Sequence, residues 1–493
     1  MNYDDELSLE LSAEEYDRAR FSDVHKFSEH DERIIRKLMA HGPVLLQGSR
    51  GTGKSALLIA ASLRLFPSNR ASEVYGLYIS LRYVPLLRAD GLEYEKLFCT
   101  WVSREIGKIL ESVSQEFPIC SDIVDMREAL AELNLKSGKR IVLLFDDAAH
   151  IGRETSLGAF FDLFRTLSSH TVSCKAAIYP GVTEFGTRFD IYNDATVVDA
   201  ARSPDRAGFA TLFSDILRAR YPQITEARVS GIGYARFAEL MATAVLGNVR
   251  GFIFACNDIV ERNGDVSSLG YNALGETFKS MAAGYYWPLL EEVTPKLGKY
   301  TSAAEVSISL AELIFQSLGA NGYPFALVHK ANVMRLSKSL EILEYVGFIV
   351  KRQASRAMKS GGRGVLYAVN LCTLLERIPG GRLTASQIDT WLSSNADPFE
   401  FHERNEQIKL IPSPVPLDDK DLEVFSMSIA TLKVSPAYPY GLTENKISRL
   451  SEAGYRTIGE LADATDGELL DIDTVGKKSL DRIRAVLGQA IWM

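Results

Sequence analysis

Short apolar runs alternate with longer amphipathic stretches in the N-terminal part of the chain. The apolar runs have the length of β-strands and predict four of them, at Pro43–Gln47, Val74–Leu81, Arg140–Phe145 and Ser173–Tyr179. The stretches between them have helical spacing, and four apolar positions share one face of a helix predicted at 25–41. Strands that alternate with helices in this way predict an α/β layer with a parallel sheet.

Beyond the fourth run the pattern becomes mainly helical. Residues 204–298 predict a helical lid. Residues 299–394 predict helices, one at Asn332–Val346, followed by a β-hairpin with strands at Phe348–Lys351 and Val365–Val369. Prolines recur from 395 to 440 and predict an extended linker with little structure of its own, after which 441–493 is again helical.

A glycine-rich loop with the spacing G-x-x-x-x-G-K-[ST] follows the first predicted strand and precedes a helix. Its glycines let backbone amides curl around phosphates, and the following helix adds its positive N-terminal dipole. Lys54 can reach the β- and γ-phosphates, and the Ser55 hydroxyl can bind Mg²⁺. We therefore expect the protein to bind ATP with Mg²⁺ through Gly48, Gly51, Thr52, Gly53, Lys54 and Ser55.

The third predicted strand ends in two acids, Asp146 and Asp147. This is the Walker-B pattern, in which the first acid holds Mg²⁺ and the second orients the attacking water. The alternative is a strand that merely ends in a solvated acidic turn. Many ATPases have Glu where this protein has Asp147, and the shorter side chain predicts weak turnover.

Charge and composition favour a nucleic-acid contact and disfavour secreted, zinc-binding and membrane proteins. The 493 residues carry a net charge of −8, but 327–382 has ten basic and three acidic residues, and this +7 island leaves −15 on the rest. Such an island predicts an electrostatic contact with nucleic acid. The five cysteines are dispersed, there is no signal-like N-terminus, and no apolar run has membrane-spanning length. We therefore expect a cytoplasmic protein with reduced thiols, without a zinc or membrane site.

The order P-loop, Walker B, helical lid with a G-N-x-R segment, and winged helix covers about 22–390. It resembles the AAA+ ATPases of the origin-recognition-complex type and the related STAND ATPases. The resemblance implies that Arg250 is the sensor arginine of the lid and that Thr183 is the first sensor. A surface arginine and a turn threonine are the alternatives. It also implies an arginine finger toward a neighbouring subunit, with Arg188 and Arg202 as candidates.

The basic island fits the winged helix of this resemblance. A recognition helix would enter the major groove, and the hairpin tip at 352–363 would contact the DNA backbone. The expected DNA contacts are Lys338, Arg352, Arg356, Lys359 and Arg363. Winged helices also serve as protein–protein modules, which is the alternative.

The tail, from Leu442 to Leu480, resembles the C-terminal domain of the bacterial RNA polymerase alpha subunit, a helix-hairpin-helix fold. That resemblance implies phosphate contacts by Gly476, Lys478 and Ser479. The main minor-groove arginine of the family is Asn445 here, and the tail has a charge of −2. Docking on a partner protein or on a neighbouring subunit is therefore an equal alternative to DNA binding.

The sequence thus predicts an α/β protein with a P-loop parallel-sheet ATPase core, a helical lid, a winged helix and a C-terminal all-α helix-hairpin-helix domain. We expect an ATPase whose nucleotide state controls DNA association. The alternative is a nucleotide-gated signalling or scaffold ATPase, for example in antiviral defence, that forms a homo-oligomer or recruits a protein effector. A metabolic kinase is disfavoured by the two appended modules. The predicted domains are an acidic arm at 1–21, the core at 22–203, the lid at 204–298, the winged helix at 299–394, the linker at 395–440 and the tail domain at 441–493.

Overall fold

The parallel sheet is present in a computed structural model, which describes residues 18–82, 85–148, 154–182, 185–186, 188–264, 268–393, 396–416, 422–435, 441–473 and 475–492. Its strands are β1 Val44–Gln47, β2 Val74–Ser80, β3 Arg140–Asp146, β4 Val172–Ile178 and β5 Thr196–Asp199, in the parallel order β2-β3-β4-β1-β5. The α/β class is therefore confirmed. The sequence pattern does not predict β5, because Val198 alone among its residues is buried.

Helices cover both faces of this sheet. They are α1 Arg18–Val24, α2 Glu29–Met39, α3 Lys54–Leu63, α4 Pro85–Arg88, α5 Gly91–Glu111, α6 Ile123–Ser137, α7 Glu154–Leu167 and α8 Ile191–Asp194. Successive residues of β3 point to opposite faces, so that Val142 packs with α2 and α3 whereas Leu143 packs with α5, α6 and α7. The single helical region predicted at Tyr94–Leu135 is two helices, because the Asp122 carboxylate caps a new helix start at α6.

The predicted lid is helical. It contains α9 Phe209–Arg220, α10 Tyr234–Ala244, α11 Val249–Arg262, α12 Tyr271–Met281, a π-helical turn at Ala282–Tyr286, α13 Trp287–Val293 and 3₁₀ turns at Thr294–Lys296 and Gly298–Tyr300. No single described helix is long and apolar enough to cross a membrane. Helices α10 and α11 meet that criterion only as a pair, and they are bent by 119°.

A second sheet belongs to the winged helix. The elements here are α14 Thr301–Gly319, β6 Phe325–His329, α15 Lys330–Arg335, α16 Ser337–Val346, β7 Ile349–Ala357, β8 Arg363–Val369, α17 Leu371–Arg377, α18 Ala385–Leu392 and β9 Phe399–Phe401, with strand order β7-β8-β6-β9. The helix predicted at 332–346 is interrupted at Leu336, and the hairpin strands are longer than predicted. The wing therefore turns at 358–362, and Arg352 and Arg356 lie in β7 rather than in the turn.

The prediction of an extended linker with little structure of its own at 395–440 is wrong for its described part. It contributes β9 to the winged-helix sheet, a helix α19 Glu406–Leu410 and 3₁₀ turns at Glu423–Ser426 and Ile429–Leu432. Apolar side chains of those two turns, including Phe425, form the core of the tail domain together with α20 Glu444–Glu452, α21 Ile458–Asp463, α22 Asp466–Leu470 and α23 Lys477–Trp492. The tail domain therefore begins upstream of the predicted boundary.

Candidate nucleotide site

The glycine-rich loop has the backbone that phosphate binding requires. Gly51 and Gly53 have φ of 83° and 86°, in the left-handed region that favours glycine. A Cβ on Gly48 would lie 2.6 Å from Thr52 Oγ1, so the turn also excludes a side chain there. Because Gly53 caps α3 without a side chain, the first backbone amides of that helix are available to an anion.

Lys54 is buried at the start of α3. Its ammonium donates to Gly48 O at 2.7 Å and to Ser49 O at 3.1 Å, and lies 3.9 Å from the centroid of the Tyr179 ring. Burial lowers the pKa of Lys54 to about 7, against the opposing charges of Asp146 and Asp147. A phosphate beside this ammonium would therefore stabilise the charged form, which burial has deprived of hydration.

The two acids after β3 have different surroundings. The Asp146 carboxylate accepts a hydrogen bond from the Tyr78 hydroxyl at 2.8 Å and another from Ser55. Burial and the charge of Asp147 raise the pKa of Asp146. A hydroxyl and a carboxylate in contact are oxygen ligands of the kind Mg²⁺ prefers, so the pair Ser55 and Asp146 fits the metal of a nucleotide complex.

Asp147 forms an ion pair that the sequence does not indicate. Its Oδ2 lies 2.7 Å from Arg82 Nε, and its backbone has φ of 51°, an uncommon conformation for a residue with a side chain. The backbone amide of Asp147 donates to Asp146 Oδ1 at 3.0 Å. The carboxylate expected to orient water is therefore held by a cation of its own chain.

The lid docks directly on the loop. Asn248 Nδ2 donates to Arg50 O at 2.5 Å, while Asn248 Oδ1 caps α11 by accepting from Gly251 N at 2.9 Å. The amide of Arg250 donates to Gly51 O at 3.1 Å. Burial, followed by the neighbouring charge of Arg50, lowers the pKa of Arg250. The predicted sensor arginine is therefore at the P-loop.

Helix α16, the predicted recognition helix, also packs on the nucleotide site. Tyr345 O accepts from the amide of Arg50 at 3.1 Å, and the Tyr345 ring meets the Tyr179 ring edge-on at 4.9 Å. Lys338 Nζ donates to Gly181 O at 2.9 Å. In this conformation the helix faces the P-loop rather than solvent.

The predicted DNA contacts of the winged helix divide into two groups. Lys338 and Arg352 face the core: Arg352 Nη1 donates to Arg202 O at 3.3 Å, and burial lowers the pKa of Arg352 to about 10. Arg356 is half-buried, and Lys359 and Arg363 are exposed on the wing. Lys359 pairs with Asp397 at 3.1 Å, and Arg363 donates to Ser355 Oγ at 2.6 Å.

Arg202 braces the P-loop from within the chain. Its Nη2 lies 2.9 Å from Oδ1 of Asp31, which is fully buried, and its Nη1 donates to Thr52 O. This pairing occupies the guanidinium, so the structure does not present Arg202 to a neighbouring subunit.

Arg188, the other arginine-finger candidate, is exposed. Thr183, the predicted first sensor, lies outside the described residues.

The tail domain rests on the core through α4. Arg88 Nη1 contacts both oxygens of Asp463 at 2.5 and 2.6 Å, and the Arg88 guanidinium lies 4.1 Å from the Phe425 ring centroid. A Cβ on Gly488 of α23 would lie 3.9 Å from Arg82 Cδ, so the domain also reaches the partner of Asp147. At the opposite end of α23, Gly476 and Lys478 are exposed and Ser479 is half-buried.

Sequence reasoning missed several residues that the structure brings to this site. Asn248 stands inside the G-N-x-R segment and Arg50 inside the P-loop, so a sequence motif marks both as part of the site. No motif marks Arg82, Tyr78 or Tyr179, because their contacts depend on how distant elements pack. Within the described ranges, no group of three or more metal-ligating side chains suggests a further metal site.

The C-terminal segment matches a known family. Residues 443–489 match the family model that describes the C-terminal domain of the bacterial RNA polymerase alpha subunit. The resemblance predicted for the tail is confirmed. The match covers the tail alone, and the comparison with curated proteins found no match.

The comparison with solved structures found similarity over about three quarters of this chain. The Aeropyrum pernix ORC1 protein in complex with DNA is 14% identical with a TM-score of 0.36, over 76% of this chain and 94% of that chain. A Walker-type ATPase of Pyrococcus abyssi is 16% identical with a TM-score of 0.41, over 72% and 95%. A STAND protein with a tetratricopeptide repeat sensor from Pyrococcus horikoshii is 16% identical with a TM-score of 0.28, over 72% of this chain and 42% of that chain. These TM-scores are too low for the matches to assign a function.

Proposed function

We propose that the protein is an ATP-binding switch of the AAA+/STAND-like type, in which nucleotide occupancy controls DNA association through the basic winged helix. One observation carries the proposal: α16 is seated on the P-loop through the hydrogen bond from the Arg50 amide to Tyr345 O. A helix that has to leave the nucleotide site before it can contact DNA is coupled to the contents of that site.

The nucleotide would be held by groups already described. The loop amides and Lys54 bind the phosphates, and Ser55 and Asp146 hold Mg²⁺, which neutralises phosphate charge when bound. Arg250 contributes a further cation from the lid. Because Arg82 occupies the Asp147 carboxylate at 2.7 Å, we expect slow hydrolysis, and occupancy dominates over turnover.

The switch itself is a rigid-body movement. A triphosphate that draws the lid and the P-loop together changes the surface on which α16 rests, and shifts the population toward a released winged helix. Release would expose Lys338 and Arg352 beside the wing residues Arg356, Lys359 and Arg363. In the tail domain, Gly476, Lys478 and Ser479 at the start of α23 offer a second, smaller phosphate-binding surface.

The test is the affinity for a mixed-sequence DNA duplex at several salt concentrations, with ATP, with ADP and without nucleotide. We expect tighter binding with ATP and a steeper salt dependence, because more cations reach the phosphates. Lys54→Ala is expected to abolish nucleotide binding and the ATP effect, whereas Lys359→Ala with Arg363→Ala weakens DNA binding in every nucleotide state. Equal affinity with and without ATP at all salt concentrations would refute the coupling.

A second candidate function is nucleotide-gated assembly, in which the tail domain recruits a protein. It is supported by the contacts of the tail domain with Arg88 of α4 and with Arg82. In this proposal the tail domain is the recruiting module, and these contacts would couple it to the nucleotide site. Native mass measurements with ATP and without nucleic acid discriminate the two functions. ATP-dependent oligomers whose DNA affinity does not depend on salt would favour assembly.

A further inference from the structure

Arg50 is a buried arginine inside the P-loop. Its side chain is 8% exposed, and Nε and Nη1 have no hydrogen-bond partner among the residues that the structure describes. Its backbone is fixed on both sides, because its amide donates to Tyr345 O and its carbonyl accepts from Asn248 Nδ2. A buried guanidinium whose N–H groups lack acceptors destabilises the folded state unless a ligand accepts those hydrogen bonds.

The surroundings of Arg50 favour its charge but leave two of its donor nitrogens, Nε and Nη1, without a hydrogen-bond acceptor among the described residues. Burial opposes the charge on Arg50, and Glu292 with three tyrosines, Tyr345, Tyr285 and Tyr179, raises its pKa above the usual value. Glu292, however, already lies 2.6 Å from the Lys296 ammonium. Glu292 is therefore shared between two cations and accepts no hydrogen bond from Arg50 Nε or Nη1.

Two further cations share this region. Burial first, and then the charge of Arg50, lowers the pKa of Arg250. Burial also lowers the pKa of Lys54, with a smaller contribution from Arg250 and with Asp146 and Asp147 acting in the opposite direction. Tyr179 interacts with all three, and its ring lies 3.9 Å from Lys54 Nζ. Like charges buried together destabilise the fold until a multivalent anion is bound between them. The arrangement fits a polyphosphate.

We propose that Arg50 is a specificity-determining residue that binds the terminal phosphate of a nucleoside triphosphate within its own chain. The proposal rests on the proposed function, because it assumes that the loop binds a nucleotide. In this proposal the loop amides bind the inner phosphates and Lys54 lies between the β- and γ-phosphates, whereas Arg50 approaches the terminal phosphate from the side of Tyr345 and the winged helix. A diphosphate leaves Arg50 without its anion, and a triphosphate supplies it.

Arg50 would allow the switch to distinguish a triphosphate from a diphosphate. The residue that engages the terminal phosphate through its side chain also seats α16 through its backbone amide. Movement of Arg50 toward a phosphate therefore acts on Tyr345 directly. The winged helix would respond to the difference between ATP and ADP rather than to occupancy alone.

The test compares the affinities for a non-hydrolysable ATP analogue and for ADP, by calorimetric titration with Mg²⁺. Arg50→Met keeps the apolar volume and removes the charge. We expect it to weaken binding of the triphosphate analogue roughly 10- to 100-fold, as for the loss of charge-assisted hydrogen bonds, and to leave ADP binding within about threefold. Arg50→Lys keeps the charge without the planar fork, and an intermediate loss is expected.

Lys54→Ala separates the two claims. If Lys54→Ala binds both nucleotides as the wild type does, the proposed nucleotide site itself is wrong. If Lys54→Ala loses both nucleotides while Arg50→Met weakens neither, or weakens both equally, the nucleotide site stands and the role of Arg50 is refuted. Should Arg50→Met fail to fold in a thermal melt, the ratio of the two affinities in Arg50→Lys decides: an unchanged ratio overturns the proposal.

Discussion

Asn248 joins the lid to the P-loop through two hydrogen bonds. One substitution removes both bonds, and another removes only the bond to the P-loop. Asn248→Ala removes both the N-cap of α11 and the donor to Arg50 O. Asn248→Asp retains an N-cap acceptor but cannot donate to a carbonyl. Asn248 is 8% exposed, so water does not readily replace either bond.

The magnitudes follow from these contacts. Loss of an N-cap costs about 1 kcal/mol, and a buried carbonyl left without its donor costs about 1–3 kcal/mol. We therefore expect Asn248→Ala to lower the free energy of unfolding of the core–lid unit by about 2–4 kcal/mol. Asn248→Asp is expected to keep the N-cap contribution and to lose at least the carbonyl contribution, because a carboxylate oxygen replaces the donor at the Arg50 carbonyl.

Urea unfolding of the full-length protein, together with hydrogen exchange of the α11 segment, measures both effects. Exchange at the first turn of α11 should accelerate in Asn248→Ala and remain slow in Asn248→Asp. The reasoning is refuted if neither variant differs from the wild type. It is also refuted if Asn248→Asp accelerates exchange as much as Asn248→Ala does.

Two further predictions concern buried acids. Burial raises the pKa of Glu344 in α16 to about 7, so its proton is bound more tightly in the folded state, and this carboxyl destabilises the fold progressively as pH rises from about 4.5 to about 7. Glu344→Gln should therefore become more stable than the wild type by up to about 3 kcal/mol above that range and equal to it in acid, as measured by urea unfolding against pH; a difference that does not depend on pH contradicts this. Arg82→Gln releases Asp147 and should raise ATP turnover several-fold relative to Arg82→Lys in a phosphate-release assay, whereas equal turnover would mean that the ion pair does not restrain hydrolysis.

The sequence predicts local features of this protein well. The P-loop, the central strands and the helical tail each depend on short-range patterns, and the structure has all of them. Strand β5 escapes prediction because it is short and mostly exposed, with Val198 as its buried residue. The linker prediction was wrong because recurring prolines are typical of a linker, whereas residues between them such as Phe425 are buried in the core of the tail domain.

The candidate site is less accessible to sequence reasoning. The places of Lys54, Asp146 and Arg250 in the fold were predictable because each stands in a motif with a fixed position relative to a strand or helix, whereas their roles stay predictions. The pairing of Arg82 with Asp147, and the seating of Tyr345 on Arg50, join elements far apart in the sequence. The neighbouring strands β2 and β3 bring Arg82 to Asp147, and the packing of the winged helix on the core brings Tyr345 to Arg50. No local pattern encodes either arrangement.

The central claim is that a triphosphate releases the winged helix from the P-loop, and a distance measurement tests it most directly. Spin labels at Lys359→Cys on the wing and Leu135→Cys on α6 occupy exposed positions, whereas the five native cysteines are buried. With ADP or without nucleotide, pulsed dipolar spectroscopy should give the single distance of the closed arrangement. A non-hydrolysable ATP analogue should add a second, different distance in the wild type but not in Lys54→Ala. The same single distance in every nucleotide state, under conditions where the analogue is shown to bind, would contradict the account.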